Sequence, residues 1–279
     1  MSIYVVTGTL GSGKSLMTVK QLAEYAREGR RIAGNFDIDL CHLTGNKRSK
    51  ATYSRVPDLP TAADLDVIGN GNTSYDESKN GALILDELAV WMNARSFNDP
   101  GRKELIRWFV HARKKGWDVF FLVQHVGMLD NQIREALCEF HAECFRLDKV
   151  SVPFVSPLYR MITGKRFLPL PKVHTARVTM GRSARPVSVD RWFCSGGSLY
   201  KAYDTKQIFD PDYPHGAHTL LSPWHTHGRY LPPRLSPLSM LWRFPLWLYI
   251  KAFCAVSGYS YDFASRDWKS TPRPHRAGV

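Results

Sequence analysis

The sequence predicts an α/β fold, because three apolar runs typical of buried strands each lead into residues suited to a binding site. Ile3–Thr7 precedes a glycine-rich loop, which is followed by a helical pattern. Gly81–Leu85 ends in two carboxylates, and Trp117–Val123 ends in an amide. Short apolar runs between turn signals are typical of buried strands. The chain therefore begins as a strand–loop–helix unit.

The glycine-rich loop, Gly8–Ser15, fits the pattern G-x-x-x-x-G-K-[ST] without a gap. Its glycines let backbone N–H groups form a nest for phosphate oxygens, and the helix start adds its positive dipole end. We expect Lys14 to bridge the β- and γ-phosphates of ATP and the Ser15 hydroxyl to ligate Mg²⁺. The residues predicted to bind the nucleotide are Gly8, Thr9, Leu10, Gly11, Ser12, Gly13, Lys14, Ser15 and Leu16.

The stretch between the loop and the second apolar run has weaker patterns. Apolar residues at helical spacing predict a helix over Leu16–Arg30, which stops near Gly29. Arg31–Phe36 is predicted to be a second short strand. The polar, basic segment 37–61 is predicted to be a surface loop, and 69–81 is rich in turn residues.

The two carboxylates that follow the run Gly81–Leu85 resemble the Walker B end of a phosphate-loop ATPase. We expect Asp86 to hold Mg²⁺ through its water shell and Glu87 to polarise the attacking water. Many strands end in acidic residues, so the prediction depends on the glycine loop about 70 residues upstream. Together the two motifs predict hydrolysis as well as binding.

The strand over Trp117–Gln124 follows a helix that is expected to open at Asp99-Pro100 and end at Gly116. In phosphate-loop ATPases with a Glu after the Walker B Asp, this strand lies between the other two. Gln124 at its tip is then expected to sense the γ-phosphate. The alternative is an amide that caps a loop.

Several arginines are candidates to reach a neighbouring subunit's γ-phosphate. Arg134 lies in a predicted short helix, Met128–Leu137, and Arg95, Arg102 and Arg113 compete with it. The sequence does not choose among them.

Three further strands are predicted from alternating or β-rich patterns. They are Phe140–Phe145 and two edge strands, Ala176–Arg182 and Val187–Phe193.

Composition limits the setting in which the chain works. Lys and Arg exceed Asp and Glu by 38 − 25 = 13, which favours a polyanionic partner such as nucleic acid or the cytoplasmic face of a membrane. The five cysteines show no C-x-x-C pair, which is typical of a reducing compartment. The sequence starts directly with the first strand, so we expect the nucleotide domain in the cytoplasm.

The order of these motifs, with the block Leu199-Tyr200-Lys201-Ala202-Tyr203-Asp204-Thr205, resembles the Zot family, the zonular occludens toxin-like assembly ATPases of filamentous bacteriophages. The resemblance covers about residues 1–210 and implies a RecA-like core with helices on both faces of a mostly parallel sheet. The resemblance implies that the family's nucleotide-site residues correspond here to the glycine loop with Lys14 and Ser15, and to Asp86 with Glu87.

The same resemblance implies an ATP-driven role in virion assembly and extrusion at the host inner membrane. The implied cofactors are ATP and Mg²⁺, and the implied partners are coat proteins and single-stranded phage DNA. We expect a homo-oligomeric ring, because such ATPases commonly complete the site from a neighbour.

The C-terminal part departs from the family pattern of one membrane-spanning helix followed by an exported tail. Residues 211–237 are predicted to be a Pro/His-rich linker, and 238–279 an aromatic, basic extension. Its most apolar stretch, Leu238–Val256, includes Arg243 and Lys251, which are costly in a span. Three placements stay open: in the membrane interface, across the membrane, or packed on the ATPase core.

Two other function classes stay open. One is an ATPase that translocates or remodels duplex DNA, which the positive charge allows. The other is a nucleotide-gated adaptor or secreted toxin without motor function.

Overall fold

The computed structural model describes residues 2–88, 100–128, 137–147, 172–180, 187–210, 213–228, 236–257, 259–262 and 267–270, with Arg134 and Met161. The described residues fall into two compact units, Met1–Gly228 and Arg229–Val279. In the first unit, nine described strands form one mixed sheet. The strands are β1 (Ile3–Thr7), β2 (Ile32–Gly34), β3 (Thr52–Arg55), β4 (Gly81–Leu85), β5 (Trp117–Leu122), β6 (Phe140–Arg146), β7 (His174–Met180), β8 (Ser188–Cys194) and β9 (His218–Leu221).

The sheet order is β8-β7-β6-β1-β5-β4-β2-β3-β9. Six neighbouring strands, from β6 to β3, pair in parallel. The outer strands β7, β8 and β9 pair antiparallel to their neighbours. The predicted mostly parallel α/β sheet is confirmed, and β5 lies between β1 and β4 as expected.

Helices cover both faces of the sheet, as predicted. Alternate strand residues such as Val6, Ile84 and Phe120 pack with α1 (Lys14–Arg27) and α2 (Leu40–Thr44) on one face. Residues of the opposite parity, such as Val5 and Phe121, pack with α3 (Ala62–Val67) and α4 (Pro100–Ala112) on the other. This alternation is the two-residue period of a strand. Every residue of β4 and β5 is buried, which explains their continuous apolar runs.

The local predictions for α1 and the first strands are confirmed. The structure has β1 over the predicted residues, and α1 starts two residues before the predicted Leu16 and ends at Arg27, three residues before the predicted Arg30. Gly29 follows the helix with φ of +75°, and its N–H bonds to the Ala26 carbonyl. The helix α4 and the strands β6 to β8 also occur close to where the patterns predict them. Of the two predicted edge strands only β8 is at the sheet edge, because β7 pairs with both β6 and β8. The predicted cap Asp99 and most of the predicted helix Met128–Leu137 lie outside the described residues.

The prediction of a surface loop over 37–61 is wrong. This segment contains α2 and β3, and β3 pairs in parallel with β2 inside the sheet. Tyr53 and Arg55 are completely buried. The Arg55 guanidinium bonds to Asp37, Asp58 and the Val56 carbonyl, so these partners compensate its burial. The segment therefore contains a buried strand that its polar composition does not indicate.

The predicted linker 211–237 also contains part of the sheet. The strand β9 pairs antiparallel with β3, and α5 (Pro223–His227) follows it. The Ser222 hydroxyl bonds to the Ser49 carbonyl, and His225 Nε2 lies 3.0 Å from the Lys50 carbonyl oxygen. The first unit therefore extends past residue 210, because the sheet edge continues to Leu221.

The second unit contains α6 (Pro237–Ser257) and the antiparallel hairpin of β10 (Tyr259–Asp262) and β11 (Asp267–Ser270). The helix α6 covers the apolar stretch Leu238–Val256 and has Pro245 inside it. In the part of the chain that the structure describes, no helix is both long and apolar enough to cross a membrane.

Candidate nucleotide site

The phosphate loop, Gly8–Ser15, connects the end of β1 to the start of α1, at the carboxyl edge of the parallel strands. Gly13 is the N-cap of α1 and has φ of +93°, which disfavours residues with a Cβ. A Cβ at Gly13 would also lie 2.0 Å from Nδ1 of His174. Glycine is therefore required here both by the turn and by the close approach of the imidazole.

Lys14 and Ser15 begin α1 and face the site. Lys14 Nζ donates to the Gly8 carbonyl oxygen at 2.8 Å, so the side chain folds back over the loop. The Ser15 hydroxyl donates to Oδ2 of Asp86 at 3.0 Å, although the two residues are 71 positions apart. The pair joins the first turn of α1 to the end of β4, which is the juxtaposition that the two motifs predict.

The backbone of Asp86 is held by the side chain of Asn35, which follows β2. Asn35 Oδ1 accepts from the Asp86 N–H at 2.8 Å, and Nδ2 donates to the Asp86 carbonyl at 3.1 Å. Nδ2 also donates to the Asp58 carbonyl at 2.9 Å. Asn35 is completely buried. This amide thus positions the predicted Mg²⁺ ligand, a role that the sequence analysis missed.

Burial raises the pKa of the Asp86 carboxyl above its ordinary value, although three groups act in the opposite direction. They are the Glu87 N–H, the Ser15 hydroxyl and the Lys14 charge. Carboxylate and hydroxyl oxygens are the hard donors that Mg²⁺ prefers. Ser15 and Asp86 therefore fit an Mg²⁺ ion, with the oxygens already in contact.

Glu87 has an unusual backbone conformation next to Asp86. Its φ is +54°, and its N–H donates to Oδ1 of Asp86 at 2.8 Å. A left-handed conformation costs about 1–2 kcal/mol in a residue other than glycine. The residue is exposed overall, but partial desolvation of its carboxyl, together with the Asp86 charge, raises the pKa of that carboxyl. A raised pKa strengthens a carboxylate as a base.

These residues surround a cavity of about 380 Å³. Gln124 also lines this cavity. Its main-chain carbonyl oxygen accepts a hydrogen bond from the Gly8 N–H at 3.4 Å. The size lies within the usual range for small-molecule sites. The lining residues are Leu10, Gly11, Gly13, Lys14, Ser15, Phe36, Asp86, Glu87, Leu122, Val123, Gln124, Met128, Tyr203, Asp204, Thr205, Gln207 and Phe209.

Some predicted residues contribute differently. The side chain of Leu16 is buried in the core on the α1 face, so only its backbone could face a phosphate. Thr9 is exposed, and Ser12 is buried beneath the loop. Both lie outside the cavity lining, as does Gly8.

Three of the four candidate arginines are among the described residues, and none of these three lines the cavity. Arg102 is buried, Arg113 is exposed and bonds to Glu77 at 3.2 Å, and Arg134 is half-buried. Arg95 lies outside the described residues. That one of these arginines acts across a subunit interface stays a prediction, and the choice among them stays open.

A second wall of the cavity comes from residues that the sequence analysis did not assign to the site. Tyr203, Asp204 and Thr205 lie in the block 199–205, and Phe36 lies opposite them with its ring 6.4 Å from that of Tyr203. The Ala202 carbonyl accepts from the Asp39 N–H at 2.8 Å, which connects this block to the N-cap of α2. The sequence analysis used the block 199–205 for the family resemblance but did not predict that it contacts the nucleotide site.

The sheet order, the loop between β1 and α1, and the Ser15–Asp86 contact define the class of protein as a phosphate-loop NTPase fold. A family model described as zonular occludens toxin (Zot) matches residues 2–181. The Gene 1 protein of Enterobacteria phage M13 is 43% identical over 277 residues, which cover 98% of this chain and 79% of that protein. The Gene 1 protein of Salmonella phage IKe is 43% identical over 231 residues, 82% of this chain and 63% of that protein. The chain belongs to the Zot family.

Two solved structures have lower similarity. The N-terminal domain of zonular occludens toxin from Neisseria meningitidis is 18% identical, with a TM-score of 0.40, covering 73% of this chain and 98% of that one. The genome packaging NTPase B204 of Sulfolobus turreted icosahedral virus 2, in complex with ATP-gammaS, is 12% identical, with a TM-score of 0.39, covering 67% and 95%. The fold class stated above therefore depends on the sheet order of this chain.

Proposed function

We propose that this chain is an ATP-hydrolysing motor for filamentous phage assembly and extrusion through the host inner membrane. The observation that carries the ATPase part is the 3.0 Å contact between Ser15 and Asp86 at a cavity that Lys14, Glu87 and Gln124 also line. Phosphoryl transfer depends mainly on positioning and on charge stabilisation, and these side chains could supply both. Family membership supports the assembly role.

Each side chain has a definite task in this proposal. Lys14 leaves the Gly8 carbonyl to contact the β- and γ-phosphates, while Ser15 and Asp86 hold Mg²⁺. Glu87 accepts a proton from the attacking water, and the Gln124 amide orients the γ-phosphate or that water. Bound Mg²⁺ would offset the negative charge that develops on the phosphate oxygens.

The first experiment measures ATP hydrolysis and MgATP binding by the full chain, wild type beside two variants. We expect Glu87→Gln to bind MgATP normally and to lose about 10²- to 10⁴-fold in kcat, because it removes the base. We expect Lys14→Ala to weaken MgATP binding about tenfold or more, because it removes charge-assisted hydrogen bonds.

The matched control is Glu104→Gln, which neutralises an exposed carboxylate on α4. It should leave both quantities within about twofold. Unchanged hydrolysis in Lys14→Ala would show that this site is not the ATPase site. A wild type that binds MgATP without hydrolysing it, alone or with vesicles and single-stranded DNA, would favour a nucleotide-gated adaptor.

The proposal includes a homo-oligomeric ring, coat proteins, single-stranded DNA and a location at the cytoplasmic face of the inner membrane. The aromatic, basic helix α6 suits the membrane interface, where Trp242 and Trp247 could lie at headgroup depth. Co-sedimentation with anionic vesicles tests this location, and light scattering of the full chain with MgATP tests the ring. No sedimentation would leave the membrane role without support.

A second candidate function is an ATPase that acts on duplex DNA. The observation in its favour is a basic face on α4, where Lys103, Arg107 and His111 are exposed at intervals of four residues, with the exposed Lys114 just past the helix. Residues four apart share one helix face, so each of the three on α4 neighbours the next. DNA-stimulated hydrolysis with a steep salt dependence would favour this function.

A further inference from the structure

A histidine far along the chain supports the phosphate loop from below. His174, the first residue of β7, is buried, and its Nδ1 lies 2.8 Å from the carbonyl oxygen of Ser12. Its Nε2 lies 3.0 Å from the hydroxyl oxygen of Tyr200. The imidazole therefore connects the loop to the block 199–205, across 162 positions of sequence on one side and 26 on the other.

The partners determine which nitrogen carries the proton. The Ser12 carbonyl oxygen can only accept, so Nδ1 must donate. Nε2 of a neutral imidazole then accepts, and the Tyr200 hydroxyl donates to it. The hydrogen bonds run in one direction, from Tyr200 through His174 to the backbone of the loop.

The bond to Ser12 orients a peptide that faces the site. A trans peptide is planar, with its C=O and N–H on opposite sides, and the described chain has no cis peptide bond. Because the Ser12 carbonyl points to His174, the N–H of Gly13 points away from the imidazole. Gly13 lines the cavity, and backbone N–H groups are the donors with which such loops hold phosphate.

The side chain of Tyr200, which donates to His174, is itself held in place by its neighbours. Tyr200 lies in a 3₁₀ helix, Gly197–Lys201, and a Cβ at Gly196 would lie 2.0 Å from its ring. Three residues later, Tyr203 lines the cavity beside Asp86 and Glu87. One short segment thus contacts the loop through His174 and also forms part of the cavity wall.

We propose that His174 and Tyr200 are positioning residues that hold the Ser12–Gly13 peptide in the orientation that binds phosphate. This inference rests on the proposed function, because it assumes that the loop binds MgATP. It predicts that the hydrogen bond to Ser12, rather than the volume of the imidazole, determines nucleotide affinity.

The experiment compares His174→Asn with His174→Leu in the full chain that also carries Glu87→Gln, so that binding is measured without hydrolysis. The amide nitrogen of Asn can take the place of Nδ1, whereas Leu fills the space and leaves the Ser12 carbonyl without this donor. We expect His174→Leu to raise the Kd for MgATP about tenfold and His174→Asn to stay within about threefold of the parent. His42→Leu, at an exposed histidine outside the cavity lining, is the control and should not change the Kd.

Thermal unfolding without nucleotide separates this role from a merely structural one. A stabilising role alone would lower the melting temperature of His174→Leu and leave the Kd of the folded protein unchanged, which would overturn the inference. Equal Kd values for His174→Asn and His174→Leu would also overturn it. If His174→Leu does not fold, Tyr200→Phe decides: a Kd raised about threefold at an unchanged melting temperature supports the inference, and an unchanged Kd overturns it.

The two proposals fail in different ways. A parent protein that binds no MgATP overturns the proposed function and this inference with it. A parent that binds MgATP, with Lys14→Ala impaired and His174→Leu unimpaired, overturns this inference alone.

Discussion

The buried amide of Asn35 determines where the backbone of Asp86 lies. Its oxygen accepts one hydrogen bond and its nitrogen donates two, so it pairs three main-chain groups that follow β3 and β4. A buried polar group left without its partner costs about 1–3 kcal/mol. The amide therefore stabilises the fold and the site together.

We expect Asn35→Ala to lower the free energy of unfolding by about 2–4 kcal/mol, because three main-chain groups lose their partner. Urea denaturation followed by tryptophan fluorescence measures the change. Asn70→Ala, at an exposed asparagine, is the matched control and should stay within about 0.5 kcal/mol of the wild type. Equal effects of the two substitutions would contradict the positioning role of Asn35.

At this scale, the sequence predicts residues that act through a local pattern and misses residues that act through a distant partner. Short motifs of a few consecutive residues were enough to predict the roles of Lys14, Ser15 and Asp86. Asn35 acts on a residue 51 positions away and His174 on one 162 positions away. Their contacts exist only once the sheet brings β2, β4, β7 and the loop together.

The helix α4 shows how one element separates a packing face from a charged face. Leu105, Trp108, Phe109 and Ala112 pack on the sheet, while the cationic side chains face outward. The outward face could also contact phosphates of nucleic acid, which the salt dependence of binding can test.

If α4 contacts duplex DNA, we expect the double variant Lys103→Ser/Arg107→Ser to weaken that binding and to reduce the slope of log K against log salt by about 1.8. Each phosphate contact on a duplex contributes about 0.9 to that slope. The double variant Lys47→Ser/Lys79→Ser removes the same charge from other exposed positions and is the control. Equal slopes for the two double variants would show that α4 makes no specific contact.

The strand β3 shows why composition failed to predict an element. Its neighbours in sequence are polar and basic, and the contacts of Arg55 with Asp37, Asp58 and the Val56 carbonyl compensate the burial of the guanidinium. Strands β4 and β5, by contrast, are apolar at nearly every position and were predicted directly. The buried partner Asp58 lies only three positions from Arg55, but charged residues are mostly exposed in proteins. The polar run therefore resembled a loop.

At the scale of the whole molecule, the first unit depends on residues beyond the boundary expected at 210. The strand β9 covers the outer edge of β3, and the Tyr213 ring lies 4.6 Å from the Arg55 guanidinium carbon. The segment also supplies the Ser222 and His225 contacts to residues 49 and 50. Removing it would expose an unpaired strand edge, which promotes aggregation.

We therefore expect a chain of residues 1–210 to be less stable than a chain of residues 1–228. Loss of the β3–β9 pairing and its side-chain contacts should cost about 2–4 kcal/mol, or about 5–10 °C in melting temperature. Differential scanning fluorimetry and light scattering of the two chains beside the full chain measure this. The 1–228 chain keeps the described sheet and is the control, so it should melt within about 3 °C of the sheet unit in the full chain. Equal melting temperatures for the two shortened chains, both monodisperse, would place the boundary at 210 and make β9 dispensable. A lower melting temperature for the 1–210 chain alone would place the end of the nucleotide unit after β9.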